Sequence, residues 1–245
     1  SRPVPPMTPE AIPGDSVFPW GSVQQVTLFD QMEGTIRYTV DGSDPDENSP
    51  VYTDPVEISA DTVLKARLFT PNGNSEVMEA VYQFALKNMT LTSLTEFDWR
   101  PVFHGNGIED LLLPLRGTTD YLDWRWRGTL EDIDVTAEFR PGPVESVRMG
   151  FLSHHRSGVV CPKTVELYTG PDKDHLQLKE IVAMPDGPGV HEIERHDAVF
   201  AVHETIGAFR IVARRHKLMP QWCIYRGTPT VFTMTDCLIV RPGKE

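Results

Sequence analysis

Apolar and polar residues alternate with a period of two along much of this chain, and this alternation restricts the fold more than any other feature. In residues 36–40, isoleucine, tyrosine and valine alternate with arginine and threonine. Leucine and alanine alternate with lysine and arginine in residues 64–68, and the pattern returns in residues 133–139. Because successive side chains of a strand point to opposite faces, the alternation indicates half-buried β-strands.

Turn-forming residues separate the alternating segments, as expected for short antiparallel strands. They include Asp41-Gly42, Asp44-Pro45, Ser49-Pro50, Asp54-Pro55 and Pro71-Asn72-Gly73-Asn74. Further strands are predicted at 144–151, 163–169, 176–183, 198–203, 207–214 and 231–240. The strand–helix–strand rhythm of a (β/α)₈ barrel or a nucleotide-binding fold is missing. The sequence therefore predicts an all-β protein: a small sandwich followed by a larger antiparallel sandwich or jelly roll.

Charge is distributed unevenly and suggests two domains. The 245 residues carry a net charge of −12. Residues 1–84 hold 13 acids and 4 bases, whereas the remainder holds 22 acids and 19 bases together with every histidine and cysteine. We expect a linker at 1–15 and domains at 16–84 and 85–245. The acidic balance argues against nucleic acid as a partner, and no apolar run is long enough to span a membrane.

The most acidic stretch, "IRYTVDGSDPDENSPVYTDP" at 36–55, invites comparison with a calcium loop or a catalytic carboxylate pair. A calcium loop counted from Asp44 would need glycine and glutamate where Ser49 and Pro55 stand. A proline-rich surface corner also offers nothing apolar to raise a carboxyl pKa. We therefore interpret these aspartates as solvated turn formers.

The three cysteines allow two interpretations. Cys161, Cys223 and Cys237 cannot all pair with one another, and their spacing fits no zinc site. They are either small buried apolar residues or include one Cys161–Cys223 bridge.

Residues 36–82 carry a Y-T-x-D-G-S-x-P run, then Y-x-x-P-hydrophobic, then K-A-R and a closing S-x-V. In this order the motifs resemble the immunoglobulin-like domain that follows the catalytic barrel in bacterial chitobiases and β-hexosaminidases. Residues 108–240, with "GTTDYLDWRWRGTLEDIDVTAEF", "VESVRMGFLSHH", "PKTVELYTG", "FRIVARRHKLMPQW" and "TDCLIV", resemble a discoidin-like domain of the coagulation-factor type C family, with a galactose-binding-like jelly roll.

Together the two resemblances imply the C-terminal accessory part of an exported β-N-acetylhexosaminidase of glycoside hydrolase family 20. Its location would be periplasmic, cell-surface or secreted, and its own N-terminal catalytic domain would be a partner. The proline-rich start agrees with a linker inside a longer protein. Such enzymes are implied to use an adjacent Asp-Glu pair at a barrel strand end. Here that pair occurs as Asp46-Glu47, in the acidic corner, so we expect no catalytic residues and no cofactor.

The discoidin-like resemblance also bears on calcium. Modules of this kind often carry an Asp-Gly before an R-G-S/T run, and a glutamate on the last strand, near a structural calcium. Leu113-Pro114 and Cys237 occupy the corresponding positions, while the run itself is Arg116-Gly117-Thr118. The resemblance therefore implies that charged calcium ligands are lost. A cage of backbone carbonyls remains open as an alternative.

The remaining function is binding. Proteins usually hold sugars with an exposed aromatic plate and a few hydrogen-bonding side chains on loops. The loops "SHHRSGVVC" and "RRHKLMPQWCIYRG" supply that mixture. On an intact strand only one of His154 and His155 can face a ligand, and the family-like Arg-Trp pair places Trp126 in the core. The predicted glycan-binding residues are Trp124, His155, Arg156, His216, Trp222, Tyr225 and Arg226.

Two functional hypotheses follow. In the first, the small domain is a spacer and the larger one is a carbohydrate-binding-like module. Such a module keeps the enzyme near N-acetylglucosamine- or galactose-containing glycans by raising their local concentration. In the alternative, both domains are purely structural and pack on the catalytic barrel or support oligomerisation.

Overall fold

The structure is a computed structural model that describes residues 6–97, 107–185, 193–229 and 231–243. The chain divides into two compact units, Ser1–Phe84 and Ala85–Glu245. Strands dominate both units, and the helical elements of the described residues are two short 3₁₀ turns. The predicted fold class, an immunoglobulin-like sandwich followed by a galactose-binding-like jelly-roll sandwich, is confirmed. Within the described part of the chain, no helix has the length and apolar character that a membrane span requires.

Two sheets form the first unit. The smaller sheet has the order β1-β3-β5, with β1 at Glu10–Ile12, β3 at Gln24–Phe29 and β5 at Val56–Ile58. The larger has the order β2-β8-β6-β4, with β7 paired to β6. Its strands are β2 Ser16–Pro19, β4 Thr35–Thr39, β6 Thr62–Thr70, β7 Gly73–Asn74 and β8 Met78–Ala85. The alternating residues predicted to be buried, such as Leu64 and Leu68, are fully buried in the core between them.

The predicted linker at 1–15 is wrong for its second half. Glu10–Ile12 forms β1, which pairs antiparallel with β3. The Tyr82 hydroxyl donates a hydrogen bond of 2.7 Å to the Pro13 carbonyl, and the Val81 N–H donates one of 2.9 Å to Asp15 Oδ1. An edge strand tolerates flanking prolines because one side of it needs no ladder bonds, so proline content misled the prediction.

The acidic corner is a turn, as predicted. Asp41 Oδ1 accepts hydrogen bonds from the Ser43 hydroxyl at 2.6 Å and the Ser43 N–H at 3.0 Å, and these bonds lower the pKa of Asp41. Asp46 Oδ1 accepts a hydrogen bond of 2.8 Å from the Asn48 N–H, and this bond lowers the pKa of Asp46. The aspartates therefore stay ionised and satisfy the turn backbone.

The second unit contains seven strands among its described residues: β9 Thr90–Ser93, β10 Arg127–Thr129, β11 Ile133–His154, β12 Thr164–Gly170, β13 Gln177–Ala183, β14 Ile193–Arg214 and β15 Thr233–Pro242. The 3₁₀ turns are η1, Ile108–Leu112, and η2, His155–Ser157. Strands β11 and β14 are 22 residues long and pair antiparallel along most of their length. On one half of this pair, β9 pairs with β11, β12 pairs with β14, and β13 pairs with β12. On the other half, β15 pairs with β11, and β10 pairs with β15. The seven strands thus form one continuous sheet, in which the long strands have different neighbours along their two halves.

Continuous strands replace several that were predicted as separate. The segments 133–139 and 144–151 belong to β11, and 198–203 and 207–214 belong to β14. The register of β11 shifts between Glu138 and Gly142 and again between Val144 and Ser146. Such bulges bend a strand without ending it, which explains why a Pro-Gly-Pro stretch resembled a turn.

The core of the second unit follows the predicted alternation. Ile133, Val135 and Ala137 are at most 1% exposed and belong to the main apolar cluster. The prediction for Trp126 is confirmed: its ring is fully buried, and its indole N–H donates a hydrogen bond of 2.8 Å to the Thr118 carbonyl.

All three cysteines are buried and free, so the Cys161–Cys223 bridge does not form. Burial raises the pKa of Cys161 to about 12. The cysteines thus act as small apolar residues.

Candidate functional site

Two loops lie side by side in the second unit. The η2 turn follows β11 directly and ends at Gly158, whose φ of 74° is left-handed and suits glycine. The other loop, residues 215–229, follows β14. The Tyr225 hydroxyl donates a hydrogen bond of 3.3 Å to the carbonyl of Arg156 and so joins the two loops.

The 215–229 loop is fixed by its own backbone. The N–H of Met219 donates to the Thr228 carbonyl at 2.8 Å, and the N–H of Gly227 donates to the Met219 carbonyl at 3.0 Å. Met219 and Cys223 are each 1% exposed and pack with Val160. A loop anchored in this way loses little conformational entropy when a ligand binds.

Next to these loops lies an open depression of about 450 Å³, which we name the Tyr121–Tyr225 cleft. Its volume is in the range of small-molecule sites. Its lining is largely apolar and contains no charged side chain. The apolar and aromatic lining residues are Tyr121, Leu130, Val159, Met219, Tyr225, Phe232 and Met234, and the others are Ser157, Gly158 and Thr228.

The cleft has a buried floor and an exposed rim. Val159, Phe232 and Met234 belong to a buried cluster beneath it. Leu130 and Tyr225, on the rim, are 45% and 46% exposed. Tyr121 is packed against the His154 ring, with the ring centroids 5.0 Å apart. Two tyrosine rings therefore border an apolar surface that water reaches.

The predicted site residues are only partly brought together. Tyr225 lines the cleft. Arg156 is exposed and reaches this region through its carbonyl, which accepts the Tyr225 hydroxyl. Trp222 is half-buried and packs on the loop's apolar cluster, so most of its face is used for packing.

His155 cannot touch a ligand, which corrects the prediction made for it. Its side chain is 1% exposed and contacts the Ser153 hydroxyl at 2.5 Å and the Trp222 ring at a centroid distance of 4.3 Å. The strand rule failed because β11 ends at His154. The 3₁₀ turn then directs His155 inward.

The remaining predicted residues do not line the cleft. Trp124 is 52% exposed, Arg226 is exposed and His216 is half-buried, and none of the three is among the lining residues. Sequence reasoning had selected them because they are aromatic or polar residues in or near loops. That criterion does not specify which loop residues converge.

Several lining residues were missed, namely Tyr121, Leu130, Met219, Thr228, Phe232 and Met234. One signal was available: Phe232 and Met234 alternate with Thr233 and Thr235. This alternation indicates that one face of β15 carries large apolar side chains at its start. Nothing in the sequence shows that Tyr121, more than a hundred residues earlier, lies opposite.

A second depression of about 480 Å³ is lined mainly by charged residues, including Asp132 and Arg214. Part of its charge is already paired: Arg214 contacts Asp132, across the depression, at 3.1 Å and the neighbouring Glu166 at 2.9 Å. This network makes the depression a poorer ligand site than the cleft.

A buried ion pair organises the strand that follows the cleft residues in β15. The Asp236 side chain is fully buried and accepts hydrogen bonds from Arg116 Nε at 2.9 Å, the Gly117 N–H at 3.0 Å and the Cys237 N–H at 2.7 Å. Arg116 also contacts Asp197 at 2.7 Å. This carboxylate is therefore fully used in structure.

The positions that the resemblance connected with calcium do not fit a divalent cation. Lys87 Nζ donates a hydrogen bond of 3.3 Å to the carbonyl of Leu113. Burial lowers the pKa of Lys87 to about 8, so the amine is still mostly protonated at neutral pH. Burial raises the pKa of Cys237 well above its usual value, and the thiol stays neutral. A hard cation would find a positive charge here instead of anionic oxygen. Among the described residues, no three His, Cys, Asp or Glu side chains form a metal-binding group.

Comparison with known families gives one match. Residues 20–81 match the family described as "Chitobiase/beta-hexosaminidase C-terminal domain". The matched range lies within the first unit, Ser1–Phe84. None of the curated proteins compared with the chain matches it.

Solved structures show distant likenesses. An f-lectin (fucolectin) from Morone saxatilis serum is 12% identical, with a TM-score of 0.36 and coverage of 98% of this chain and 84% of that one. Allantoicase from Saccharomyces cerevisiae is 11% identical, with a TM-score of 0.35 and coverage of 84% and 67%. The secreted serine protease VesC from Vibrio cholerae is 10% identical, with a TM-score of 0.28. The match covers 92% of this chain and 48% of the protease, so this chain spans about half the length of that protein.

Proposed function

We propose that this chain is a non-catalytic accessory part of an exported glycoside hydrolase of the β-N-acetylhexosaminidase type, and that its second unit binds glycans in the Tyr121–Tyr225 cleft. The family match of residues 20–81 supports the link to such enzymes. The observation that carries the binding role is the cleft itself: two tyrosine rings beside an apolar floor, on loops held in place by hydrogen bonds.

The cleft chemistry suits a neutral sugar. A pyranose ring presents a flat face of C–H groups, which packs on an aromatic ring, and hydroxyls around its edge. Tyr121 and Tyr225 offer the rings, and Ser157 and Thr228 offer hydroxyls at the same surface. The lining residues carry no charge that would have to be desolvated or paired. Uncharged galactose- or N-acetylglucosamine-containing glycans therefore fit better than acidic ones.

A catalytic role has no support in this cleft. Its lining lacks a carboxylate, a histidine and a cysteine, so it does not offer the pair of carboxylates that glycoside hydrolysis usually requires. We expect the chain by itself to leave a chromogenic N-acetylglucosaminide uncleaved. Turnover that survives further purification would refute the accessory role.

The binding test is a calorimetric titration of the whole chain with neutral oligosaccharides of N-acetylglucosamine, galactose and N-acetylgalactosamine. We expect dissociation constants near the millimolar range, about −4 kcal/mol. The Tyr225→Ala variant removes a rim ring and should weaken binding roughly tenfold, about 1.4 kcal/mol. The Trp124→Ala variant is the matched control, because Trp124 is an equally exposed aromatic residue outside the cleft, and it should bind as the native chain does.

The outcomes separate the hypotheses. Loss of binding in Trp124→Ala but not in Tyr225→Ala would move the site to the loop around Trp124. If no glycan shows detectable binding up to millimolar concentration, the alternative in which both units are purely structural is favoured.

A further inference from the structure

We propose that the Lys87 ammonium is a built-in cation that fastens the end of η1 in the second unit, and that it makes the fold of this unit independent of divalent metal ions. The proposal concerns the stability of the unit and does not depend on the glycan-binding role.

The position of Lys87 is set by the backbone. The Leu86 N–H donates a hydrogen bond of 2.8 Å to the carbonyl of Val240 in β15. Lys87 therefore begins beside the last strand, and its Nζ reaches the Leu113 carbonyl at 3.3 Å. Leu113 is the residue directly after η1, and its N–H donates a hydrogen bond of 3.1 Å to the Asp110 carbonyl. A backbone carbonyl oxygen carries partial negative charge and accepts hydrogen bonds from an ammonium group.

Cationic side chains hold this short turn at two points. Arg127 forms a short buried ion pair with Asp110, inside η1, while Lys87 binds the carbonyl at its end. Both cations are covalently part of the chain. A metal ion from solution would therefore bring positive charge to a turn that already has two positively charged side chains.

Among the described residues, the acids and the thiol of this region are already engaged. Asp236 is occupied by Arg116 and two backbone N–H groups. Asp110 is paired with Arg127. The Cys237 thiol lies within electrostatic reach of both Lys87 and Arg116. A calcium ion at the Leu113 carbonyl would meet the ammonium and no unpaired carboxylate from these residues.

The first test compares thermal unfolding of the native chain at neutral pH in EDTA and in excess calcium chloride. We expect the same unfolding temperature of the second unit in both solutions. A specific ion present at roughly a hundredfold excess over its Kd would raise that temperature by about 5 °C or more. Such a rise, or one equivalent of calcium retained after equilibrium dialysis, would overturn the proposal.

The second test reverses the charge. Lys87→Glu places a carboxylate near the Leu113 carbonyl and should convert a unit that supplies its own cation into one that needs calcium. We expect its unfolding temperature to be lower than native in EDTA and to rise by several degrees, about 5 °C, in calcium. Lys173→Glu is the matched control: Lys173 is exposed and 3.1 Å from Glu138, so this variant would reveal any unspecific calcium effect of an added acid.

A folded Lys87→Glu variant that responds to calcium no more than Lys173→Glu would contradict the proposal. If Lys87→Glu fails to fold even when refolded with calcium, the dialysis and unfolding experiments on the native chain still decide, because a calcium-binding native chain is incompatible with a lysine in the cation position.

Discussion

Gly150 in β11 lies against the buried carboxylate that orders β15. A Cβ atom at this position would come within 2.1 Å of Asp236 Oδ1 and 2.7 Å of Arg116 Nη2. Since Asp236 is held by three donors, it cannot move away without breaking the ion pair. We predict that Gly150→Ala destabilises the second unit by roughly 3 kcal/mol, lowering its calorimetric unfolding temperature by about 6 to 12 °C.

The control for Gly150→Ala is Gly142→Ala. Gly142 is also in β11, but the nearest atom to a Cβ there is the Arg140 carbonyl oxygen at 3.8 Å, so this variant should unfold within about 2 °C of the native chain. Equal effects of the two substitutions would show that the contact with Asp236 is not the reason for glycine at 150.

Some residue-level features could be predicted from the sequence and others could not. The resemblance placed Trp126 in the core. The structure also explains why glycine occupies position 117 beside it, because a Cβ on Gly117 would come within 2.4 Å of the Trp126 ring. The partner of Arg116, by contrast, is Asp236, 120 residues away. Both residues look like ordinary surface charges in the sequence, and their pairing depends on the packing of distant strands.

At the scale of elements, alternation identified most strands because burial of one face leaves a direct trace in the sequence. The sequence at the bends in β11 and β14 does not distinguish a bend from the end of a strand. Residues 140–143, Arg-Pro-Gly-Pro, have the composition of a turn. Gly142 nevertheless pairs with Ile206, so the pairing of β11 with β14 continues across the bend. The end of β11 at His154 was also invisible, and this is why His155 was assigned to the wrong side.

The η2 turn should control the cleft through Gly158. Gly158 and Gly227 share a φ of 74°, so alanine at either position should cost about 1 kcal/mol from backbone strain. A Cβ at Gly158 would also contact Met219 Cε at 3.4 Å and Tyr225 Cδ2 at 3.6 Å, whereas a Cβ at Gly227 would have no atom within 4 Å. We predict that both variants lower the unfolding temperature by roughly 2 to 4 °C.

Only Gly158→Ala should then weaken glycan binding, by about threefold or more, because it adds a methyl group to a lining residue of the cleft and so takes up space there. Calorimetric titration of both variants with the best ligand of the native chain provides the measurement. Unchanged affinity in Gly158→Ala would indicate that the η2 turn does not shape the binding surface.

At the scale of the whole molecule, the cleft combines residues from segments that lie far apart in the sequence, from Tyr121 to Met234. Composition and loop chemistry selected Tyr225, which lines the cleft. They could not predict convergence, because the jelly-roll order β10-β15-β11-β14-β12-β13 is set by long-range pairing.

Charge provides a further prediction for the whole molecule. The chain has a net charge of −12, but the cleft lining is uncharged. Long-range repulsion should exclude acidic polysaccharides at low salt, while contacts in the cleft should be insensitive to screening. We predict that the affinity for a neutral glycan changes less than about twofold between roughly 50 and 500 mM salt. A large loss of affinity at high salt would instead indicate a charged site.

The most direct measurement of the central claim uses the methionine methyl groups. The chain has eight methionines, of which Met219 and Met234 line the cleft, while Met32 and Met78 pack against the core of the first unit. Methyl NMR spectra recorded during titration with neutral oligosaccharides should show movement of the Met219 and Met234 signals, and those of Met32 and Met78 should stay in place. Unchanged Met219 and Met234 signals, with saturable changes at other methionines or none at all, would contradict glycan binding in the Tyr121–Tyr225 cleft.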